Sequence, residues 1–195
     1  MAGSPPMASG ESCTILVGSL RQDSINRAAA SYAAGHLGDH FTVHQPGLTQ
    51  IPLFNQDVED VGYPAPVGAL KRVVSESSLV LFFTPEYNYS TSGVLKNAID
   101  WLSRPFGSGS LVGSVVAIAS ASPGSRGGEN AREHLLQTCS VLTDRLYKVT
   151  LGIPNVTELK AASLSEQHSQ LLAHWLEDVI EFSRQPEAQA QKMTS

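Results

Sequence analysis

Short apolar runs alternate along the chain with segments of helical period, which predicts an α/β fold: a doubly wound parallel sheet covered by helices on both faces. The strongest run, Leu79-Val80-Leu81-Phe82-Phe83, is apolar at every position. A strand buried on both faces reads this way, whereas a half-exposed one would alternate. A second observation is the placement of small and polar residues, which concentrate in the segments after the first, third and fourth strands. In a parallel sheet those segments share one edge, where ligands sit when the winding direction reverses.

The elements follow in order. Residues 1–12 form a polar leader without apolar period and 185–195 a polar tail, so both are expected to be disordered and the folded domain to span 13–184. Thr14-Ile15-Leu16-Val17 is the first strand, and Ile25, Ala28, Ala29, Tyr32, Ala33 and His36 recur at helix spacing behind it. Phe41–His44 is a weaker strand, and 47–66 reads as loop. A helix carrying Leu70, Val73 and Val74 leads into the strand at 79–83. Pro85 ends that strand, because it has no N–H for the ladder. Val94, Leu95, Ala98, Ile99 and Leu102 then mark one side of a helix over 93–104. The fourth strand is expected at 113–119, a helix at 131–146, a brief fifth strand at 148–151 and a last helix at 165–184. In the last, Leu171, Leu172, Trp175, Leu176, Val179 and Ile180 form an apolar stripe.

With 195 residues and 42% hydrophobic content the chain can fill one substantial core. A net charge of −5 with no basic run argues against a nucleic-acid surface, which needs clustered cations to displace phosphate counterions. The two cysteines, Cys13 and Cys139, make neither a disulfide framework nor a thiolate metal site. No segment has the pattern of a secretory signal or the length of a membrane span. These readings place the protein in the cytoplasm, without membrane or nucleic-acid partners. The six histidines are scattered without metal-ligand spacing, and no metal is expected.

The first loop, Gly18-Ser19-Leu20-Arg21-Gln22-Asp23-Ser24-Ile25-Asn26, gathers two hydroxyls, an amide and a guanidinium around the start of a helix. The oxygens of a phosphate group need such donors, and a helix N-terminus adds partial positive charge. Asp23 opposes this, since a carboxylate beside a phosphate is repulsive unless it points to solvent. Ser24 or Asp23 as a plain N-cap explains the same residues without a ligand. The glycine patterns of pyrophosphate and triphosphate sites are absent, so a monophosphate is the better fit. The second loop, Pro85-Glu86-Tyr87-Asn88, suits the edge of a flat heterocycle, with Tyr87 as a wall and Asn88 as donor and acceptor. The third, from Ser120 and Ser122 through Gly124 to Gly128, is predicted to be mobile and rich in donors. Taken singly, Tyr87 is also explained by surface packing, Glu86 by solvation or as a capping carboxylate, and Arg126 by solvation.

Gly18-Ser19-Leu20-Arg21 with Ser24 and Asn26, followed by Pro85-Glu86-Tyr87-Asn88 and Gly93-Val94-Leu95-Lys96-Asn97-Ala98-Ile99-Asp100-Trp101, closely resembles the NADPH-dependent FMN reductases of the flavodoxin-like superfamily. The resemblance spans about residues 13–180. It implies five strands in the order 2-1-3-4-5, bound FMN, NADPH or NADH as electron donor, and a homodimer or homotetramer. By matching positions it implies that Ser19, Arg21, Ser24, Ile25 and Asn26 hold the FMN phosphate end, and that Pro85, Glu86, Tyr87, Asn88, Ser120, Ser122 and Gly124 hold the ring. It assigns no catalytic side chain, since the cofactor carries the electron chemistry. The expected acceptor is a small molecule: a quinone, azo compound, flavin or metal ion. The alternatives are a flavodoxin-type electron carrier and a flavin-free binding module. Where the family often has proline before the second glycine motif, Ser92 stands, which predicts a looser start to that helix. The helix at 93–104 is expected to offer Trp101 to a second copy, unless Trp101 packs within its own chain.

Overall fold

The residues described by the computed structural model are 10–157 and 163–186, so most of the expected leader and tail lies outside them. Their strands are β1 (Ser12–Val17), β2 (Thr42–His44), β3 (Leu79–Phe83), β4 (Val115–Ala121) and β5 (Leu151–Ile153). They pair in parallel in the order β2-β1-β3-β4-β5, as the resemblance implies. The helices are α1 (Ile25–Leu37), α2 (Gln56–Val61), α3 (Ala65–Ser75), α4 (Gly93–Leu102), α5 (Glu129–Cys139) and α6 (Glu166–Ser183).

Side chains alternate across each strand, and the alternation sorts the core into two layers. Cys13, Ile15, Leu79, Leu81, Phe83, Val115 and Ala117 face the small apolar side of α1 and the stripe of α6. Leu16, Val80, Phe82, Val116 and Ile118 face α3, α4 and α5. Both cysteines are buried in these layers. Burial raises both thiols, that of Cys139 to about 12 and that of Cys13 further still, so neither is a thiolate at neutral pH.

Four elements depart most from the sequence expectation. The stretch read as loop contains α2, which has no buried residue and therefore no apolar period. It forms because the Asn55 side chain accepts the Asp57 N–H at 2.9 Å, while Arg104 Nε donates to Glu59 Oε2 at 2.7 Å. Helix α5 stops at Cys139 and does not run to Leu146. Thr143 Oγ1 donates to Ser114 O at 2.7 Å and accepts the Arg145 N–H at 3.1 Å, a competing local arrangement that breaks the helix. Strand β5 starts at Leu151, and the carbonyl of Val149 just before it accepts from Trp175 Nε1 at 2.8 Å. Strand β4 runs on to Ala121, which takes Ser120 into the sheet.

The start of α4 is not loose. Ser92 caps it, its Oγ accepting the Leu95 N–H at 3.2 Å, so serine satisfies a terminal donor that a proline could not reach. Trp101 is likewise not offered outward: it is fully buried. Its Nε1 donates to Pro52 O at 2.9 Å, and Phe54 and Tyr63 meet its ring edge-on at 4.9 and 6.3 Å. Asn97 clamps the same loop, accepting the Phe54 N–H at 2.8 Å and donating to Pro52 O at 2.9 Å. Among the described residues no helix is long and apolar enough to cross a membrane.

Candidate functional site

The connections leaving β1 and β3 turn to opposite faces of the sheet, and the crevice between them is where such folds bind ligands. Gly18 makes the crevice close. Its N–H donates to Phe83 O at 2.8 Å, and a Cβ there would fall 2.7 Å from Ser92 Oγ and 3.1 Å from Pro85 Cδ. Beyond Gly18, Ser24 caps α1 by accepting the Arg27 N–H at 3.3 Å. Its hydroxyl hydrogen stays available to a ligand, as do the first N–H groups of the helix, which have no helical acceptor. Arg27, unremarked in the sequence, braces the loop: Nη2 donates to Ser19 O at 3.3 Å and Nε to Arg21 O at 3.4 Å.

A cleft of about 470 Å³ opens here, within the usual range of about 300–1,000 Å³ for small-ligand sites. Nine of the expected residues line it: Ser19, Arg21, Ser24, Ile25, Asn26, Pro85, Glu86, Tyr87 and Ser122. Asp23, Ala121, Pro123, Val156 and Thr157 complete the wall. The last two follow β5 and were missed because that strand was placed too early. The Pro154-Asn155 pair, with Asn155 at φ +56°, was the available signal of a turn there.

Three expected residues do not line the cleft. Asn88 and Tyr89 are the central pair of a two-residue reverse turn, with φ of +51° and +61°. Tyr87 and Ser90 close that turn by exchanging N–H to carbonyl bonds of 2.9 and 3.0 Å. This is a hairpin turn of positive-φ type, which carries Asn88 to an exposed tip and uses the Tyr87 N–H internally. Ser120 is buried in β4, its Oγ donating to Gly127 O and accepting from Arg132 Nη1 at 2.8 Å. Gly124 sits behind Ser122, its N–H donating to Ser122 Oγ at 3.0 Å and its carbonyl accepting the Asn155 N–H at 3.2 Å.

The third loop is thus tied down and not free. Gly127 and Gly128 both have positive φ, and a Cβ on Gly127 would lie 2.8 Å from Gly152 C, so this tight approach requires glycine. Arg132 further pins it through Gly127 O and through Thr150 Oγ1 at 3.1 Å. Arg126, at the loop's outer bend, reaches Glu129 at 3.7 Å.

Two polar side chains serve the cleft from behind. Asn26, 1% exposed, accepts the Ala121 N–H at 2.8 Å and donates to Ala121 O at 2.9 Å, so its amide joins the first loop to β4. Glu86 accepts from Asn130 Nδ2 at 3.1 Å and from the Ala131 N–H at 3.3 Å. It caps α5, whose own N-cap, Gly128, has no side chain to do so.

One end of the cleft therefore offers hydroxyls, helix N–H groups and a guanidinium, and the other offers Pro85, the half-exposed Tyr87 ring and the Ala121–Pro123 segment. Such a division suits a molecule with an anionic tail and a flat apolar head, and a flavin mononucleotide has that shape and donor demand.

Residues 12–151 match the family model described as NADPH-dependent FMN reductase. An NAD(P)H-dependent FMN reductase from Pseudomonas aeruginosa is 43% identical, over 82% of this chain and 91% of its own length. A quinone reductase from Pseudomonas putida is 35% identical, over 82% of this chain and 84% of its own. Among solved structures, the flavoenzyme NAD(P)H:(acceptor) oxidoreductase from Paracoccus denitrificans superposes with a TM-score of 0.77 at 27% identity, covering 89% of this chain and 97% of that one.

Proposed function

The chain belongs to the NADPH-dependent FMN reductase family, oxidoreductases that use FMN with NAD(P)H as donor, and from that premise we propose that it passes electrons to a small quinone-type acceptor. The observation that carries this reading is the two-ended cleft at the β1/β3 crevice. The name of the 35%-identical relative supports a quinone ahead of an azo compound, free flavin or metal ion.

When bound, FMN supplies the redox chemistry; the chain's residues bind and orient. Ser19, Ser24, Arg21 and the first N–H groups of α1 hold the phosphate, with Ile25 alongside. Asn26 would fix the spacing of the two sides of the cleft through its bonds to Ala121. Pro85, Glu86, Tyr87, Ser122 and Pro123 would hold the ring. Glu86 is tied to α5 and so positions the loop. No side chain is asked to move a proton, which leaves His36 in its pair with Glu177 and His134 in its contact with Ser90. The protein is further proposed to work in the cytoplasm as a homodimer or homotetramer. Leu53, 83% exposed on the loop that covers α4, and Val61, 87% exposed at the end of α2, are the apolar side chains offered to a second copy.

The test is optical. Protein loaded with FMN should lose its yellow absorbance on mixing with NADPH under argon and regain it when benzoquinone follows. Persistence of the colour after NADPH would fit a carrier reduced by a protein partner. A preparation whose melting temperature does not respond to FMN would fit a flavin-free module. Within the cleft, Arg21→Ala should weaken FMN binding by about 10–100-fold, the worth of a charge-assisted contact. An unchanged FMN dissociation constant would remove the phosphate assignment.

A further inference from the structure

Four charged side chains stand at or beside the cleft. Three have stated employment or suit a phosphate: Arg27 braces the loop carbonyls, Glu86 is hydrogen-bonded to the start of α5, and Arg21 is free to meet an anion. The fourth is Asp23. It lines the cleft with Ser19, Arg21 and Ser24, and among the described residues it makes no ion pair and no side-chain hydrogen bond. It also directly precedes the N-cap of α1, where a carboxylate interacts favourably with the helix's positive end.

We propose that Asp23 sets the affinity for FMN: its carboxylate and the flavin's phosphate compete for the same positive helix end, so the cofactor is held less tightly than the donors alone would hold it. This rests on the phosphate assignment above. In the free protein the exposed carboxylate, which makes no hydrogen bond to the helix end, would act on it through its charge alone. When a phosphate carrying up to two negative charges arrives, the carboxylate becomes a like-charged neighbour at the solvent-exposed lip of the same cleft. The flavin therefore exchanges with solution more readily, since affinity differences among close variants appear mainly in the dissociation rate. The two consequences have opposite sign, which a purely structural role for Asp23 would not produce.

The experiment titrates FMN and riboflavin, which lacks the phosphate, against apoprotein by fluorescence quenching at low salt, with wild type, Asp23→Asn, Asp23→Glu and Arg21→Ala. Melting curves of each apoprotein accompany the titrations. Asp23→Asn is expected to tighten FMN by about 3–10-fold while changing riboflavin by less than about 2-fold, and to lower the melting temperature of the apoprotein slightly. The FMN gain should shrink as salt is added, and Asp23→Glu should bind like wild type. Unchanged or weaker FMN binding in Asp23→Asn would overturn the proposal, as would equal tightening of riboflavin, which would indicate a change of loop shape. If Arg21→Ala weakens FMN while Asp23→Asn has no effect, only the role of Asp23 falls. If Arg21→Ala also leaves FMN unaffected, the phosphate assignment falls with it.

Discussion

Replacing Asn26 by Ala should cost about 2–4 kcal/mol of folding stability and markedly weaken flavin binding, the larger loss coming from two orphaned backbone groups. In the parallel ladder, Ala119 turns its carbonyl toward β3, accepting the Thr84 N–H at 3.0 Å, while the Ser122 N–H turns toward β5 and donates to Ile153 O at 3.0 Å. By that alternation Ala121 points toward the β3 side, but Pro85 has already ended β3. Asn26 stands in for the missing strand, its amide giving one donor and one acceptor as a peptide group would. Alanine leaves both Ala121 groups buried and unmatched, and it frees the first loop from β4. Asn26→Asp is the informative companion: it keeps an acceptor for the Ala121 N–H but turns a carboxylate oxygen on the Ala121 carbonyl, so it should be no better than alanine at neutral pH. Urea denaturation and FMN titration check both. Wild-type stability in Asn26→Ala would show that water takes over the two bonds and would sink the bridging role.

Trp101→Ala should cost about 3–5 kcal/mol, the usual loss for emptying a large buried aromatic site, whereas Trp101→Phe should lose only about 1 kcal/mol with the bond to Pro52 O. The effect should be local as well as global. Phe54 and Tyr63 pack against that ring, so alanine removes the floor under residues 51–63, and limited proteolysis should first cut there. Equal resistance of wild type and Trp101→Ala in that segment would show that Asn97 and the Glu59–Arg104 pair hold the loop unaided.

The sheet was legible because its central strands are buried on both faces, so their apolar runs needed no interpretation. The start of α1 was legible through its serine cap at Ser24. Boundaries were lost where tertiary bonds overrule local period: Thr143 breaks α5, and α2 exists without any apolar side. At the site, residue types near the first helix start were readable because the chemistry there is sequential. Asn88 and Ser120 stand off the cleft wall for a different reason. Their surroundings are set by backbone geometry, a positive-φ turn and a two-residue strand extension, and composition alone carries neither. Arg27 and Asn26 look alike as polar residues of α1, and only the folded neighbours reveal that both serve the protein's own backbone.

Glu86 carries one mechanical consequence. The loop beside the ring end of the cleft is bolted, through that carboxylate, onto the opening turn of α5, and α5 is itself sunk into the core through Ala131, Leu135 and Cys139. This rim cannot swing like a flap without dragging a helix out of its seat. Any opening at this end of the cleft has to come from a segment other than 85–87, or carry the first turn of α5 along with it.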